Sequence, residues 1–105
     1  MVDCGLAVNP DIVRAQMEGG IVFGLTAALF GKLEVKDGIV QQSNFHDYPL
    51  LRMNEAPAID VIIVDSQAHP TGVGEPGTPP IAAAVANAVF RATGQRLYDL
   101  PLQLA

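Results

Sequence analysis

Apolar residues recur at helical spacing in two stretches of the chain. Before the first stretch, Asn9, Pro10 and Asp11 supply an N-cap, a proline for the first helical turn and an acid that suits the start of the helix dipole. The pattern predicts a helix that runs to about Phe30 and stops before Gly31. Its expected buried stripe consists of Ile12, Val13, Met17, Ile21, Leu25, Ala28 and Leu29.

The second helical stretch follows a turn rich in glycine and proline. Thr78 is predicted to be its N-cap, Pro79 its first helical residue, and Gly94 the residue just after its end. The expected apolar stripe consists of Ile81, Val85, Ala88, Val89 and Ala92.

Shorter apolar runs predict strands. Residues 33–36 and 39–45 flank the pair Asp37-Gly38, which is typical of a hairpin with a type I′ turn. Residues 2–6 form a short apolar run, and residues 59–64 are the clearest strand, β-branched on both faces and so expected to be buried on both. This order of elements predicts a two-layer domain of the α+β or α/β class.

Composition limits what the domain can do. The chain has 105 residues, enough for one small domain with one core. Its residues are 50% hydrophobic and only 16% charged, which indicates surface that something else covers. The net charge is −5 and there is no run of Lys or Arg, so nucleic acid is not expected as a partner.

The cysteine count and the hydropathy of the chain argue against further kinds of site and against a membrane span. Cys4 is the only cysteine, so this chain can hold no internal disulfide, iron–sulfur cluster or cysteine-rich zinc site, and a small buried hydrophobe is expected instead. No segment is expected to be long and apolar enough to span a bilayer, and the first residues lack the basic region of a secretory signal, so the default location is the cytoplasm. His46 and His69 are expected to be surface or turn histidines.

The chemistry is expected in residues 71–80. Glycines and prolines alternate there around a single carboxylate, Glu75, just before a helix. A carboxylate on a stiff turn is how a general base is presented, although most exposed loop glutamates are only solvated.

A second candidate lies on the first helix, where Gln16, Gly20 and Gly24 are four residues apart and share one row, with Gly19 beside them. Bare backbone on a helix favours close packing by another element. The alternative is that Gln16 faces a ligand across this smooth surface.

Several motifs in order resemble one family, the molybdenum hydroxylases. They match the C-terminal end of the large molybdopterin-binding subunit, which occurs in xanthine dehydrogenases and aldehyde oxidoreductases. The resemblance is greatest to the β subunit of isoquinoline 1-oxidoreductases. The motifs are Asp3-Cys4-Gly5, Asn9-Pro10, Gln16-Met17-Glu18-Gly19-Gly20, residues 44–49, Gly72-Val73-Gly74-Glu75-Pro76, Ala86-Asn87-Ala88 and Thr93-Gly94.

The resemblance implies an α+β fragment of the molybdenum cofactor-binding domain, with two main helices packed on a small mixed sheet. It implies that Glu75 is the general base beside molybdenum and that Gln16 hydrogen-bonds the cofactor, with no metal ligand in this chain. The implied cofactor is molybdenum–molybdopterin in its cytosine dinucleotide form.

The implied partners are the rest of the large subunit, a small subunit with 2Fe–2S clusters, and a small aromatic N-heterocycle or aldehyde as substrate. The assembled complex could also reside in the periplasm.

Most cofactor contacts of the family lie upstream of these residues. Met1 is expected to be either an artificial start or the start of a truncated gene rather than the natural beginning. The 105 residues alone are expected to be inactive and able to form homo-oligomers through uncovered surface. The rival hypothesis is a stand-alone binding or assembly module that kept the fold and lost the chemistry.

Overall fold

A computed structural model describes residues 1–104 of the chain, and within them two helices accompany one two-stranded sheet. Helix α1 is Pro10–Leu29, strand β1 is Val35–Lys36, strand β2 is Ile39–Val40, and helix α2 is Ile81–Thr93. The α+β class with two main helices is confirmed.

Helix α1 begins and ends where its capping residues predict. The Asn9 side-chain oxygen accepts a hydrogen bond from the Ile12 backbone N–H at 3.2 Å, and the Phe30 and Gly31 N–H groups both donate to the Thr26 carbonyl. Most of the predicted stripe is buried or half-buried, but Ile12 is 58% exposed, so its assignment to the core was wrong. The buried α1 residues are Val13, Met17, Gly20, Gly24, Leu25 and Ala28.

The hairpin forms at the predicted turn. Asp37 and Gly38 have φ angles of 51° and 77°, and two positive φ values in succession are what a type I′ turn requires. Val35 pairs with Val40 and Lys36 with Ile39 in antiparallel register. Each strand has two residues, shorter than predicted.

Residues 59–64 do not form the doubly buried strand that their β-branched residues predict. They are extended beside the N-terminal segment, but their only bridge within residues 1–104 joins Val2 to Ile63 in parallel. The Val2 N–H donates to the Ile62 carbonyl, and the Val64 N–H donates to the Val2 carbonyl, each at 2.9 Å. Ile62 is 57% exposed. β-Branched residues favour extended backbone, but a buried strand also needs covering layers, which the described residues do not supply here.

The N-terminal segment continues along the chain that follows residue 64. The Leu6 N–H donates to the Ala68 carbonyl, and the Thr71 N–H donates to the Cys4 carbonyl, each at 2.9 Å. Cys4 is buried, as expected of a small hydrophobe. Gly5 has a φ of +70°, and a Cβ atom there would overlap the His69 carbonyl oxygen.

Helix α2 starts later than predicted. Its first residue is Ile81 with Pro80 at the cap position, and no side chain caps it. The prediction that Thr78 is the N-cap was wrong, because the Thr78 hydroxyl donates instead to the Gly20 carbonyl on α1, at 3.0 Å. Gly94 ends the helix in the left-handed region, with a φ of 76°.

The apolar stripe of α2 is less buried than predicted. Its larger members are half-buried, whereas Ala88 and Ala92 are exposed, and no α2 residue is fully buried.

The loop that leads into α2 packs directly on the backbone of α1 at positions where α1 has glycine. A Cβ atom at Gly24 would lie 2.9 Å from the Thr78 carbonyl oxygen and 3.1 Å from Ile81 Cβ. A Cβ atom at Gly20 would lie 3.4 Å from Gly77 Cα, and one at Gly77 would lie 2.8 Å from the Met17 carbonyl oxygen. The packing interpretation of the glycine row is therefore correct for Gly20 and Gly24.

The hydrophobic core is small and the molecule is elongated. The buried hydrophobic side chains are Cys4, Val13, Met17, Leu25 and Ala28. The radius of gyration is 16.6 Å, against about 13 Å for a compact domain of this length. Large apolar side chains remain exposed elsewhere, among them Phe23, Phe45 and Met53.

Helix α1 is long and apolar enough, by length and composition, to cross a membrane. The expectation that no segment has this length and composition was wrong. The core helix of a soluble protein can meet the same criterion, and α1 packs on the segment that leads into α2.

We expect Gly5→Ala to lower the free energy of unfolding by about 3 kcal/mol, because it adds a left-handed alanine and a clash with the His69 carbonyl. Gly38→Ala is the matched control, since Gly38 also has positive φ but a Cβ atom there would meet nothing within 4 Å. It should cost about 1–2 kcal/mol. Urea denaturation measures both changes, and equal losses would contradict the close approach at Gly5.

Substitution by alanine at two glycines of α1, Gly19 and Gly24, should change the free energy of unfolding in opposite directions. Gly24→Ala should destabilise the fold, because its methyl group would meet the backbone of Thr78. Gly19→Ala should raise the free energy of unfolding by up to about 1 kcal/mol, because the space there is open and alanine favours the helix. Thermal unfolding of both variants checks this, and stabilisation by Gly24→Ala would refute the packing.

Candidate active site

An open hollow of about 550 Å³ lies between α1 and the loop before α2. The two candidate site residues predicted from the sequence, Gln16 and Glu75, both line this hollow. They are far apart in sequence, and the packing of the loop on the glycines of α1 brings them to one cavity. Its remaining lining residues are Gly19, Gly20, Phe23, Gly74, Thr78 and Pro79.

Glu75 is the acidic side chain of this hollow. Its backbone carbonyl accepts a hydrogen bond from the Thr78 N–H at 2.8 Å, which closes a turn over Pro76 and Gly77. The side chain is exposed, and its carboxylate makes no hydrogen bond or salt bridge to any of residues 1–104. The carboxylate oxygens are therefore available to a bound molecule.

Gln16 reaches the hollow from the second turn of α1. It is exposed, and its side-chain amide has no hydrogen-bond partner in the described part of the chain. Beside it, a Cβ atom at Gly19 would meet nothing within 4 Å. Gly20 and Gly24 of the glycine row pack against the loop and the start of α2, whereas the space beside Gly19, next to the row, is open.

This arrangement can bind a polar group and accept a proton. An amide offers two donors and an acceptor, and a carboxylate is an acceptor that can act as a general base. Phe23, seven residues after Gln16 on the same side of α1, adds an aromatic wall. The lining contains no cationic side chain.

The donor set does not bind a metal by itself. Among residues 1–104, no group of three or more His, Cys, Asp and Glu side chains could hold a metal ion. A metal at this hollow would need ligands from a cofactor, with Gln16 and Glu75 as polar neighbours. The residues present fit a metal-bearing cofactor of that kind.

The histidines do not border this hollow. His46 Nε2 lies 3.6 Å from Asp47 Oδ2 on an exposed loop. The Asp47 carboxylate accepts hydrogen bonds from the backbone N–H groups of Asn44 and Ser43, which lower its pKa to about 2. It therefore stabilises a local turn. His69 lies at the turn beside the N-terminal segment.

Sequence reasoning missed the lining residue Phe23 and gave another, Thr78, the wrong role. Phe23 could have been found from its helical spacing to Gln16. Thr78 was expected to cap α2, and no local signal shows that its hydroxyl reaches α1 instead.

Comparison with known proteins identifies the family. The sequence profile of the molybdopterin cofactor-binding domain matches residues 1–57. Isoquinoline 1-oxidoreductase subunit beta from Brevundimonas diminuta is 49% identical over 99% of this chain and 13% of its own length. The membrane-bound aldehyde dehydrogenase [pyrroloquinoline-quinone] from Gluconacetobacter polyoxogenes is 38% identical over 100% of this chain and 14% of its own length.

The fold is shared with a solved structure. Quinoline 2-oxidoreductase from Pseudomonas putida 86 superposes with a TM-score of 0.82 over 94% of this chain and 14% of that chain, at 24% sequence identity. The chain thus spans about one seventh of the length of the proteins that it matches. From the profile match and the identity over its whole length, the chain belongs to the molybdopterin cofactor-binding domain family of the molybdenum hydroxylases.

Proposed function

We propose that this chain forms one wall of the active site of a molybdenum-dependent oxidoreductase that hydroxylates an N-heterocycle or oxidises an aldehyde, with water as the oxygen source. The observation that carries the proposal is the single hollow bordered by both Glu75 and Gln16. Neither polar side chain is engaged within residues 1–104, so both are free to face a cofactor and a substrate.

Glu75 acts as the general base in this proposal. Overall, a carbon–hydrogen bond of the substrate is replaced by a carbon–oxygen bond, and two electrons and two protons are released. The bound molybdenum cofactor supplies the two-electron redox chemistry. An oxygen of the Glu75 carboxylate accepts a proton and passes it to solvent through the open side of the hollow.

Gln16 holds the cofactor in place. Its amide can donate and accept hydrogen bonds at once, and the bare surface of Gly19 lets a flat group approach the helix. The walls provided by Phe23 and Pro79 are apolar and suit an uncharged organic substrate.

The proposed substrate classes and cofactor are based on the names of the relatives and on the matching profile. One relative is named for isoquinoline and another for aldehydes. The aldehyde dehydrogenase name also includes pyrroloquinoline-quinone, whereas the profile is that of a molybdopterin-binding domain. We propose molybdenum–molybdopterin, in its cytosine dinucleotide form, as the cofactor.

The rest of the active site must come from other segments, because this chain spans about one seventh of each relative. We propose that the remainder of a large subunit holds most of the cofactor and that a small 2Fe–2S subunit receives the electrons. The residues described here would then be inactive alone.

Glu75→Gln in the complete enzyme should lower kcat by about 10²–10⁴-fold, because an amide cannot accept the proton. Molybdenum content should stay unchanged. Glu18→Gln is the matched control, since Glu18 is exposed on α1 outside the hollow. Steady-state turnover with isoquinoline and with an aromatic aldehyde measures the effect. Near-normal turnover of Glu75→Gln would remove the base assignment.

Gln16→Leu should weaken cofactor retention about tenfold, because it replaces the amide by an apolar group beside a polar ligand. Molybdenum and pyrroloquinoline-quinone are both quantified after gel filtration, with Gln67→Leu as a control on an exposed loop. Retention equal to the wild type would contradict the role of Gln16. A purified enzyme that contains the quinone and no molybdenum would overturn the cofactor assignment.

A further inference from the structure

One side-chain hydrogen bond ties the loop that carries Glu75 to the helix that carries Gln16. The Thr78 hydroxyl donates to the Gly20 carbonyl at 3.0 Å, across 58 positions of sequence. Among the hydrogen bonds of residues 1–104, it is the only one that joins α1 to residues 71–80. Thr78 is half-buried, so water competes with this bond only in part.

Both ends of the bond are next to the candidate site. Gly20 is one helical turn after Gln16, on the same row of α1. On the loop side, the Thr78 N–H donates to the Glu75 carbonyl at 2.8 Å. The hydroxyl and the amide of one residue therefore connect the turn of Glu75 to the row of Gln16.

The packing beneath this bond limits how closely the loop can approach α1. The backbone of Gly77 lies close to Met17 and Ile21, so the loop cannot come nearer to α1. Ile81 packs at Gly24, one turn farther along α1, but Gly20 itself has no side chain that could interlock with the loop. A hydrogen bond is directional, so the bond from Thr78 adds a constraint on the lateral position of the loop at Gly20.

We propose that Thr78 is a positioning residue that sets where Glu75 stands relative to Gln16. The proposal rests on the function proposed above. Without the hydroxyl, the turn would shift along the smooth face of α1, and the carboxylate would leave the best position for proton transfer. Misplacement by about 1 Å can cost up to about 100-fold in rate. Phe23, the aromatic wall of the hollow, lies on α1 and would remain in place, so kcat should fall while KM changes little.

The test compares Thr78→Val with Thr78→Ser in the complete enzyme. Valine has nearly the same shape without the hydroxyl, and serine restores the hydroxyl. Thr93→Val is the matched control, because the Thr93 hydroxyl also donates to a helix carbonyl, that of Val89, but on α2 away from the hollow. Turnover, molybdenum content and hydrogen–deuterium exchange of residues 71–81 are measured for each variant.

Thr78→Val should lower kcat about tenfold, leave KM and molybdenum content nearly unchanged, and raise deuterium uptake in residues 71–81. Thr78→Ser should stay within about twofold of the wild type, because it restores the donor. Thr93→Val should match the wild type in turnover and in uptake of residues 71–81.

A normal kcat for Thr78→Val would overturn the proposal, whether or not the deuterium uptake of residues 71–81 rises. Failure of Thr78→Ser to restore kcat would also overturn it, because the hydroxyl would then not be the cause. The two proposals are distinguishable: loss of turnover in Glu75→Gln with normal turnover in Thr78→Val keeps the base and rejects its positioning by Thr78. Normal turnover in Glu75→Gln rejects the base, and the positioning proposal with it.

Discussion

The architecture depends on the contact between the loop at Gly77–Thr78 and the bare backbone of α1 at Gly20 and Gly24. Because Gly24 and Gly77 have no side chain, backbone atoms of the two segments approach to distances that a Cβ atom would prevent. The Thr78 hydroxyl adds one directional bond to this contact. Helix α2 starts immediately afterwards, so the same contact also sets where the second helix packs on the first.

The candidate site is a consequence of that contact and lies at its edge. The loop and the start of α2 occupy the space beside Gly20 and Gly24, whereas the space beside Gly19 is open. Gln16 and Glu75 therefore meet across a gap that neither element would form alone. A small core and an exposed apolar surface accompany this arrangement in a chain that spans about one seventh of the length of its relatives.

The sequence predicted the local elements well because their signals are local. Asn9 caps α1, Asp37 and Gly38 adopt the positive φ angles of their turn, and Gly94 ends α2. Longer-range expectations were less accurate. Residues 59–64 have the composition of a buried strand, but only the N-terminal segment pairs with them within residues 1–104, and Ile62 is largely exposed.

From the sequence alone, the glycine and proline turn marks Glu75, the glycine row marks Gln16, and the motifs around both identify the family. Caps, turn types and helical periods arise from interactions between residues a few positions apart, and a linear pattern records them. The folded chain alone showed that Gly20 and Gly24 serve packing while Gly19 stays open, and that the Thr78 hydroxyl binds α1 rather than capping α2. These outcomes depend on which atoms meet across 58 positions of sequence. No local pattern encodes that meeting, because it results from the packing of whole elements.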